Sequence, residues 1–329
     1  MFGRQVLELD AAVEIARIEA AIRVQVFETL HRRGAVLGLS GGVDSSVVAA
    51  LCARALGADR VLGLLMPDRD SSSDALRLGT LAAEQLGLET LVESIGPVAE
   101  AAGCYERQAA AIRTVFPEFG PGWRCKLTLP GPLAGERLPI SLLTVEDPLG
   151  ARRCERLSGE AYRALVAATN YKQRLRKTAE YYHADRLNRA VAGTANRLEH
   201  ELGFFVKQGD GAADLKPIAH LYKTQVYALA EALGVPEEIR SRTPTTDTFS
   251  LPQTQEEFYF AVPHATLDQC LYALDHGVPA AEVAAAVGLT EAQVGRVFLD
   301  LQAKRRAARY LHEPPLGIAS GAAPATRSA

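Results

Sequence analysis

Residues 35–51 run Ala35-Val-Leu-Gly-Leu-Ser-Gly-Gly-Val-Asp-Ser-Ser-Val-Val-Ala-Ala-Leu51, an apolar stretch that breaks at Ser-Gly-Gly and then resumes. That order predicts a buried strand, a tight glycine loop and a helix. The first amides of such a helix have no partner within it. Together with the helix macrodipole they favour an anion, which the two glycines allow to approach the backbone closely. The pattern therefore predicts a phosphate over residues 40–46. No Gly-Lys-Ser/Thr follows the glycines, so this is not a Walker A loop. A carboxylate, Asp44, stands there instead, placed to share a cation with bound phosphates.

The rest of the chain supplies a frame for that loop. Its 329 residues are 48% hydrophobic with a net charge of −3, which implies a globular core and excludes a global field that would draw it to nucleic acid or an anionic membrane. No apolar run approaches the roughly 20 residues of a bilayer span, and the N-terminus lacks a signal-peptide core, so a cytoplasmic protein is expected. The five cysteines are odd in number and form no close pair, which reads as reduced thiols without zinc. Ile15, Ile18, Ile22, Val26 and Leu30 form the stripe of a helix over 10–33, able to pack on the core or on a second subunit. Strands at 61–66 and 89–92 alternate with a helix at 73–86 stopped by Gly87. The alternation predicts an α/β, doubly wound parallel sheet whose ligands lie beyond the strand ends, near Ser40 and Met66. Residues 116–159 break the rhythm and read as a β-hairpin insertion with strands at 124–129 and 138–145. A helix at 159–183, a strand at 190–192 and a helix at 223–233 return to it. The expected organisation is a principal domain over 1–260, a helical extension over 261–315 and a disordered tail over 316–329.

Downstream, Gly193-Thr-Ala-Asn-Arg-Leu-Glu199, Gly203-Phe-Phe-Val-Lys207, Gly209-Asp210, Asp214-Leu-Lys-Pro217-Ile218 and Leu221-Tyr-Lys223 crowd glycines, acids and lysines into one segment. Composition alone leaves Glu199, Asp210 and Asp214 readable as solvated loop carboxylates. Position points to a site. Thr194 follows a strand and so shares a sheet edge with Ser40, and Glu199 can approach Asp44 from the opposite side to complete a carboxylate pair for Mg²⁺. Lys207 and Lys223 then offer positive charge to bound phosphates.

Ser40-Gly-Gly-Val-Asp-Ser45 after a buried strand resembles the pyrophosphate loop of the ATP pyrophosphatases. Taken with Gly193-Thr-x-Asn-x-x-Glu199, Gly209-Asp-Gly211 and Pro217-Ile218, the chain is similar to the NAD synthetases over most of residues 30–250. The resemblance implies that Mg-ATP adenylates the nicotinate carboxylate of deamido-NAD, pyrophosphate leaves, and ammonia displaces AMP to give NAD. It implies ATP against Gly38, Ser40, Gly41, Gly42, Asp44, Ser45, Met66, Thr194, Lys223 and Thr245, with Mg²⁺ on Asp44 and Glu199. Catalytic roles would fall to Asp44, Lys207, Asp210 and Lys223, and deamido-NAD would meet Asn170, Lys172, Arg174, Lys207, Asp210 and Asp214.

Residues 170–176 resemble the family helix that receives the dinucleotide at a subunit interface, which implies a homodimer; an ordinary basic helix face is the alternative reading. Two departures from the family pattern stand out, Thr246 where alanine is usual and Gln208 where tyrosine is usual. The glutamine-hydrolysing domain of some members is not seen in the sequence, so ammonia would arrive free or from a separate glutaminase. His183, His200 and His220 show no ligand spacing. The rival readings are another ATP pyrophosphatase sharing only the Ser40 loop, a related amidating ligase acting on another carboxylate, and a nucleic-acid-binding protein built on the helix-turn-helix pattern at 279–294.

Overall fold

The computed structural model describes residues 2–134, 141–246 and 248–318. Four short apolar segments, β1 Ala35–Gly38, β2 Val61–Leu65, β3 Glu89–Val92 and β7 Ala190–Val191, form a parallel sheet in the order β3-β2-β1-β7. Helices α1 Ala11–Arg23, α2 Val43–Leu56, α3 Ser73–Leu86 and α8 Lys223–Ala232 contribute to the core on one face, where Ala35, Leu37, Val61 and Leu65 point. The long helix α6 Gly159–Leu187 brings Ala184 and Leu187 against Val36, Leu62, Leu64 and Val191 on the other. The sheet is thus doubly wound, as expected. Its strand order reverses between β1 and β7, and a crevice opens beyond the strand ends at such a point.

The stripe at Ile15, Ile18, Ile22 and Val26 is buried in the chain's own first core, packed with α2 and α8 residues, so no second subunit is needed to cover it. Helix α6 runs past 183 to Leu187, where Asn188 takes a left-handed conformation with φ 52° and ends it.

The insertion contains the expected antiparallel pair and adds a third strand to it. Beyond helices α4 Gly96–Ala101 and α5 Cys104–Arg113, strands β4 Arg124–Thr128, β5 Leu142–Glu146 and β6 Arg152–Arg156 form a three-stranded antiparallel sheet. Residues 138–140 of the expected strand lie outside the described residues. The third strand, Arg-Arg-Cys-Glu-Arg, is exposed at all five positions and so carries no apolar alternation to announce it. What creates it is the turn before it, where Asp147 Oδ1 accepts from the Leu149 and Ala151 amides, each at 2.9 Å. The opposite edge of β4 is bound by the segment after residue 244: Leu251 N donates to Cys125 O at 2.9 Å, and Leu129 N to Glu257 O at 2.9 Å.

The last part is helical as expected, with α10 His264–Asp275, α11 Ala280–Val287 and α12 Glu291–His312. They build a second core with Leu7, Tyr222, Phe260 and the short helix α7 Arg197–Leu202. The helix-turn-helix pattern is α11, Gly288 and α12, and its apolar face, Val283, Val294 and Val297, is spent inside this core. Two of the basic residues beyond it are paired, Lys304 with Asp300 at 2.7 Å and Arg305 with Asp275 at 2.6 Å. The tail at 319–329 lies outside the described residues. Among those described, no helix is long and apolar enough to cross a membrane.

Candidate active site

The glycine loop lies beyond β1, and Gly42 starts α2 without any side-chain cap, leaving the first amides of a 14-residue helix facing the crevice. Gly41 has φ 72°, and a Cβ there would lie 2.7 Å from Ala75 O and 2.9 Å from Leu78 Cβ, so both backbone conformation and the close approach of α3 demand glycine. Ser45 and Ser46 each donate a hydroxyl to Gly42 O at 3.0 Å, and Ser40 Oγ lies 3.2 Å from Ser45 Oγ. The loop is held in shape by its own serines.

Three side chains from later elements converge on Asp44, which stands in the first turn of α2. Asn196 caps α7 by accepting from Glu199 N at 3.2 Å, while its amide donates to Asp44 Oδ1 at 3.0 Å. Lys223, the first residue of α8 and 1% exposed, donates to Asp44 Oδ2. Glu199 Oε2 accepts from Asn196 N at 3.1 Å, and Glu199 Oε1 from Gln255 Nε2 at 3.2 Å. Loss of solvation and then the nearby Asp44 charge push the Glu199 carboxyl up to about 8. Burial alone would lower Lys223, but Asp44 and Glu199 outweigh it and raise the ammonium above its usual range.

Among the described residues no three His, Cys, Asp or Glu side chains gather as a metal cage. Asp44 and Glu199 instead offer two hard carboxylates beside the glycine loop. That donor set suits Mg²⁺, which takes one or two protein carboxylates and completes its shell with phosphate oxygens and water.

The crevice is a cleft of about 450 Å³. Of the expected site residues, Ser40, Gly42, Asp44, Ser45, Asn170, Thr194, Glu199, Asp210, Lys223 and Thr245 line it. A smaller cavity of about 140 Å³ adjoins at Ser40 and is lined by Met66, Leu39 and Arg176. Loss of solvation raises the pKa of Asp210, whose Oδ1 accepts from Val206 N at 2.9 Å.

Others are engaged elsewhere. Lys207 donates to the carbonyls of Tyr310 and Glu313, each at 2.8 Å, closing the C-terminus of α12 rather than facing the cleft. Lys172 is buried against Asp70 at 2.8 Å and Thr248 O at 3.1 Å, and Arg174 donates to Lys207 O at 3.2 Å. Asp214 accepts from Val191 N at 2.7 Å and so stitches the sheet edge. The exposed Gln208, with φ 63°, does not line the cleft, whose aromatic wall comes from Tyr162, Phe204, Phe205, Phe258 and Tyr259.

Sequence reasoning passed over Asn196 as an anchor of Asp44, Gln255 and Asp268. Asn196 stood inside the quoted motif and carried a capping-box signal with Glu199. The others had no local signal.

A model of the NAD synthase family matches residues 14–115 and 144–308, omitting the first part of the insertion. The NH(3)-dependent NAD(+) synthetase of Mesorhizobium japonicum is 63% identical over 310 residues, covering 94% of this chain and 97% of that relative. Two solved structures share the fold. NMN synthetase from Francisella tularensis is 21% identical with a TM-score of 0.65, covering 94% of this chain and 99% of that one. NH3-dependent NAD synthetase from Campylobacter jejuni is 22% identical with a TM-score of 0.61, covering 95% and 100%. The family match takes in both halves of the site, the Ser40 loop on one side of residue 115 and the segment from Thr194 to Lys223 on the other. The chain belongs to the NAD synthase family.

Proposed function

We propose that this protein is an ammonia-dependent NAD synthetase, which adenylates the nicotinate carboxylate of deamido-NAD with ATP and then lets ammonia displace AMP. The observation that carries the reading is the convergence of Asp44, Asn196, Glu199 and Lys223 beside an open helix N-terminus in one cleft. The α2 amides with Ser40 and Ser45 bind the phosphates, and the cavity at Met66 and Arg176 takes the adenosine end. Asp44 and Glu199 would hold Mg²⁺, whose chemistry is to neutralise charge on the phosphates. Lys223 adds a fixed positive charge on the side of the departing pyrophosphate. Asn170 and the aromatic wall hold the dinucleotide, and Asp210, its pKa raised by burial, accepts a proton from the incoming nitrogen.

The experiment incubates purified protein with Mg-ATP, ammonium and deamido-NAD, and follows AMP, pyrophosphate and NAD in equal amounts. Failure with deamido-NAD and turnover with a different carboxylic acid would replace this reading by that of a related amidating ligase.

The family resemblance of residues 170–176 also supports a homodimer, with Tyr171 and Tyr182 exposed on α6. Sedimentation at micromolar concentration is expected to give twice the chain mass. A fully active monomer would end this part of the proposal.

A further inference from the structure

Lys223 works from the first position of α8, so its reach into the cleft depends on where that helix begins. The first amides of a helix need acceptors, and most helices find one in the side chain just before them. Here it comes from far along the chain. Asp268, on α10, accepts from Lys223 N at 3.3 Å through Oδ1 and from Thr224 N at 2.7 Å through Oδ2. Gln225 Oε1 takes the preceding amide, Tyr222 N, at 3.0 Å. Asp268 is 0% exposed and its neighbours Leu267, Cys270 and Leu271 are packed into the second core, so the carboxylate is presented from a rigid support.

We infer that Asp268 is a positioning residue for the reaction: it fixes the start of α8, and with it the ammonium of Lys223 against Asp44. The inference rests on the reading of Lys223 as the cation facing the phosphates. Burial pushes Asp268 up to about 6, while the amides it receives hold it down, so it remains a strong acceptor near neutral pH. An ordinary surface cap would use a local Ser or Asp. A buried carboxylate borrowed from another core ties the placement of Lys223 to the packing of the C-terminal helices. The same helices grip α7, which carries Glu199: Arg197 pairs with Asp275 at 2.8 Å, and Arg305 pairs with both Asp275 and Glu201.

A cap that only stabilises the fold and a cap that places a working side chain differ in one measurable way. The full-length protein is compared as wild type, Asp268→Ala, Lys223→Met and the double variant, in the ammonium reaction at a temperature where circular dichroism shows each folded. Asp268→Ala is expected to lower kcat about tenfold to a hundredfold, the cost of a roughly 1 Å misplacement, with the KM for deamido-NAD held within about twofold. In the Lys223→Met background the same substitution is expected to change kcat by less than about threefold, because the side chain it positions is gone. Equal losses in both backgrounds would show a structural cap alone and overturn the inference. Should Asp268→Ala not fold, Asp268→Asn keeps the shape and sets an amide NH₂ against the Lys223 N–H; an unchanged kcat in that folded variant overturns it as well. Wild-type kcat in Lys223→Met would remove the role of Lys223 itself and this inference with it, whereas an impaired Lys223→Met beside a normal Asp268→Ala removes the inference alone.

Discussion

Asp44 meets three demands with one carboxylate: it accepts from Asn196, pairs with Lys223, and lies close enough to Glu199 for its charge to act on that carboxyl. Asp44→Asn and Glu199→Gln are each expected to lower kcat at least about a hundredfold at saturating magnesium, since each removes a hard oxygen from the cation and phosphates. Near-normal turnover in both would dismiss the site. Asp44→Asn should also cost stability, because the Lys223 ammonium stays buried without its counter-charge. Residues whose placement depends on the local turn were legible in the sequence: Ser40 and Asp44 line the cleft and Gly41 takes the left-handed turn. Lys207, Lys172 and Asp214 were not, because a Lys or Asp side chain can turn to either side of its backbone and nothing local says which. His200 gives a second test at this scale. Burial, then the charges of Lys216 and His312, bring its pKa down to about 4. The unfolded chain therefore binds a proton at pH values between about 6.5 and 4 that the folded chain refuses, so stability rises with pH across that window and is lost on acidification. His200→Phe, able to keep the stack on Phe205, is expected to reduce that loss by on the order of 1 kcal/mol. Urea midpoints at pH 6.5 and 4.5 that fall equally in both proteins would count against it.

Elements were legible where a period and a stop signal agreed. Helix α3 runs from Ser73 to Leu86 with Ser72 as cap and Gly87 left-handed, and both ends are signalled in the sequence. The third strand of the insertion was hidden because all five of its residues face solvent, so its pairing comes from a turn and not from burial. The contact between α3 and the glycine loop is likewise non-local. Gly79 in α3 would place a Cβ 3.0 Å from Leu39 O, and Gly41 would place one 2.7 Å from Ala75 O, so loop and helix touch backbone to backbone. Gly41→Ala is thus expected to cost about 1 to 3 kcal/mol and to raise the KM for ATP severalfold, because the loop must leave its left-handed turn. A melting temperature and KM both matching wild type would show that the turn tolerates a side chain.

At the scale of the molecule, the doubly wound sheet followed from alternating apolar strands and helices, whereas the joining of two cores around one cleft did not, since α7, α8 and α10 meet only in three dimensions. That arrangement bears on the source of nitrogen. Hydrolysing glutamine needs an activated nucleophile, most readily a cysteine whose thiolate is stabilised by a neighbouring cation or helix end. Cys52, Cys104, Cys125 and Cys270 are all buried. Burial pushes Cys52 and Cys270 up to about 12 and Cys125 up to about 11, and raises Cys104 as well, which is the opposite of activation. Cys154 is exposed on β6, whose five residues all face solvent, and it does not line the cleft. Ammonium is therefore expected to support amidation and glutamine to fail until a separate glutaminase is added. The attacking nitrogen must be neutral, so the rate with ammonium should also climb as pH rises toward the ammonium pKa. The assay supplies Mg-ATP and deamido-NAD with either nitrogen source to the wild type and to a variant lacking all five cysteines. Glutamine turnover that disappears in that variant while ammonium turnover persists would reveal a glutaminase site within this chain and reverse the conclusion.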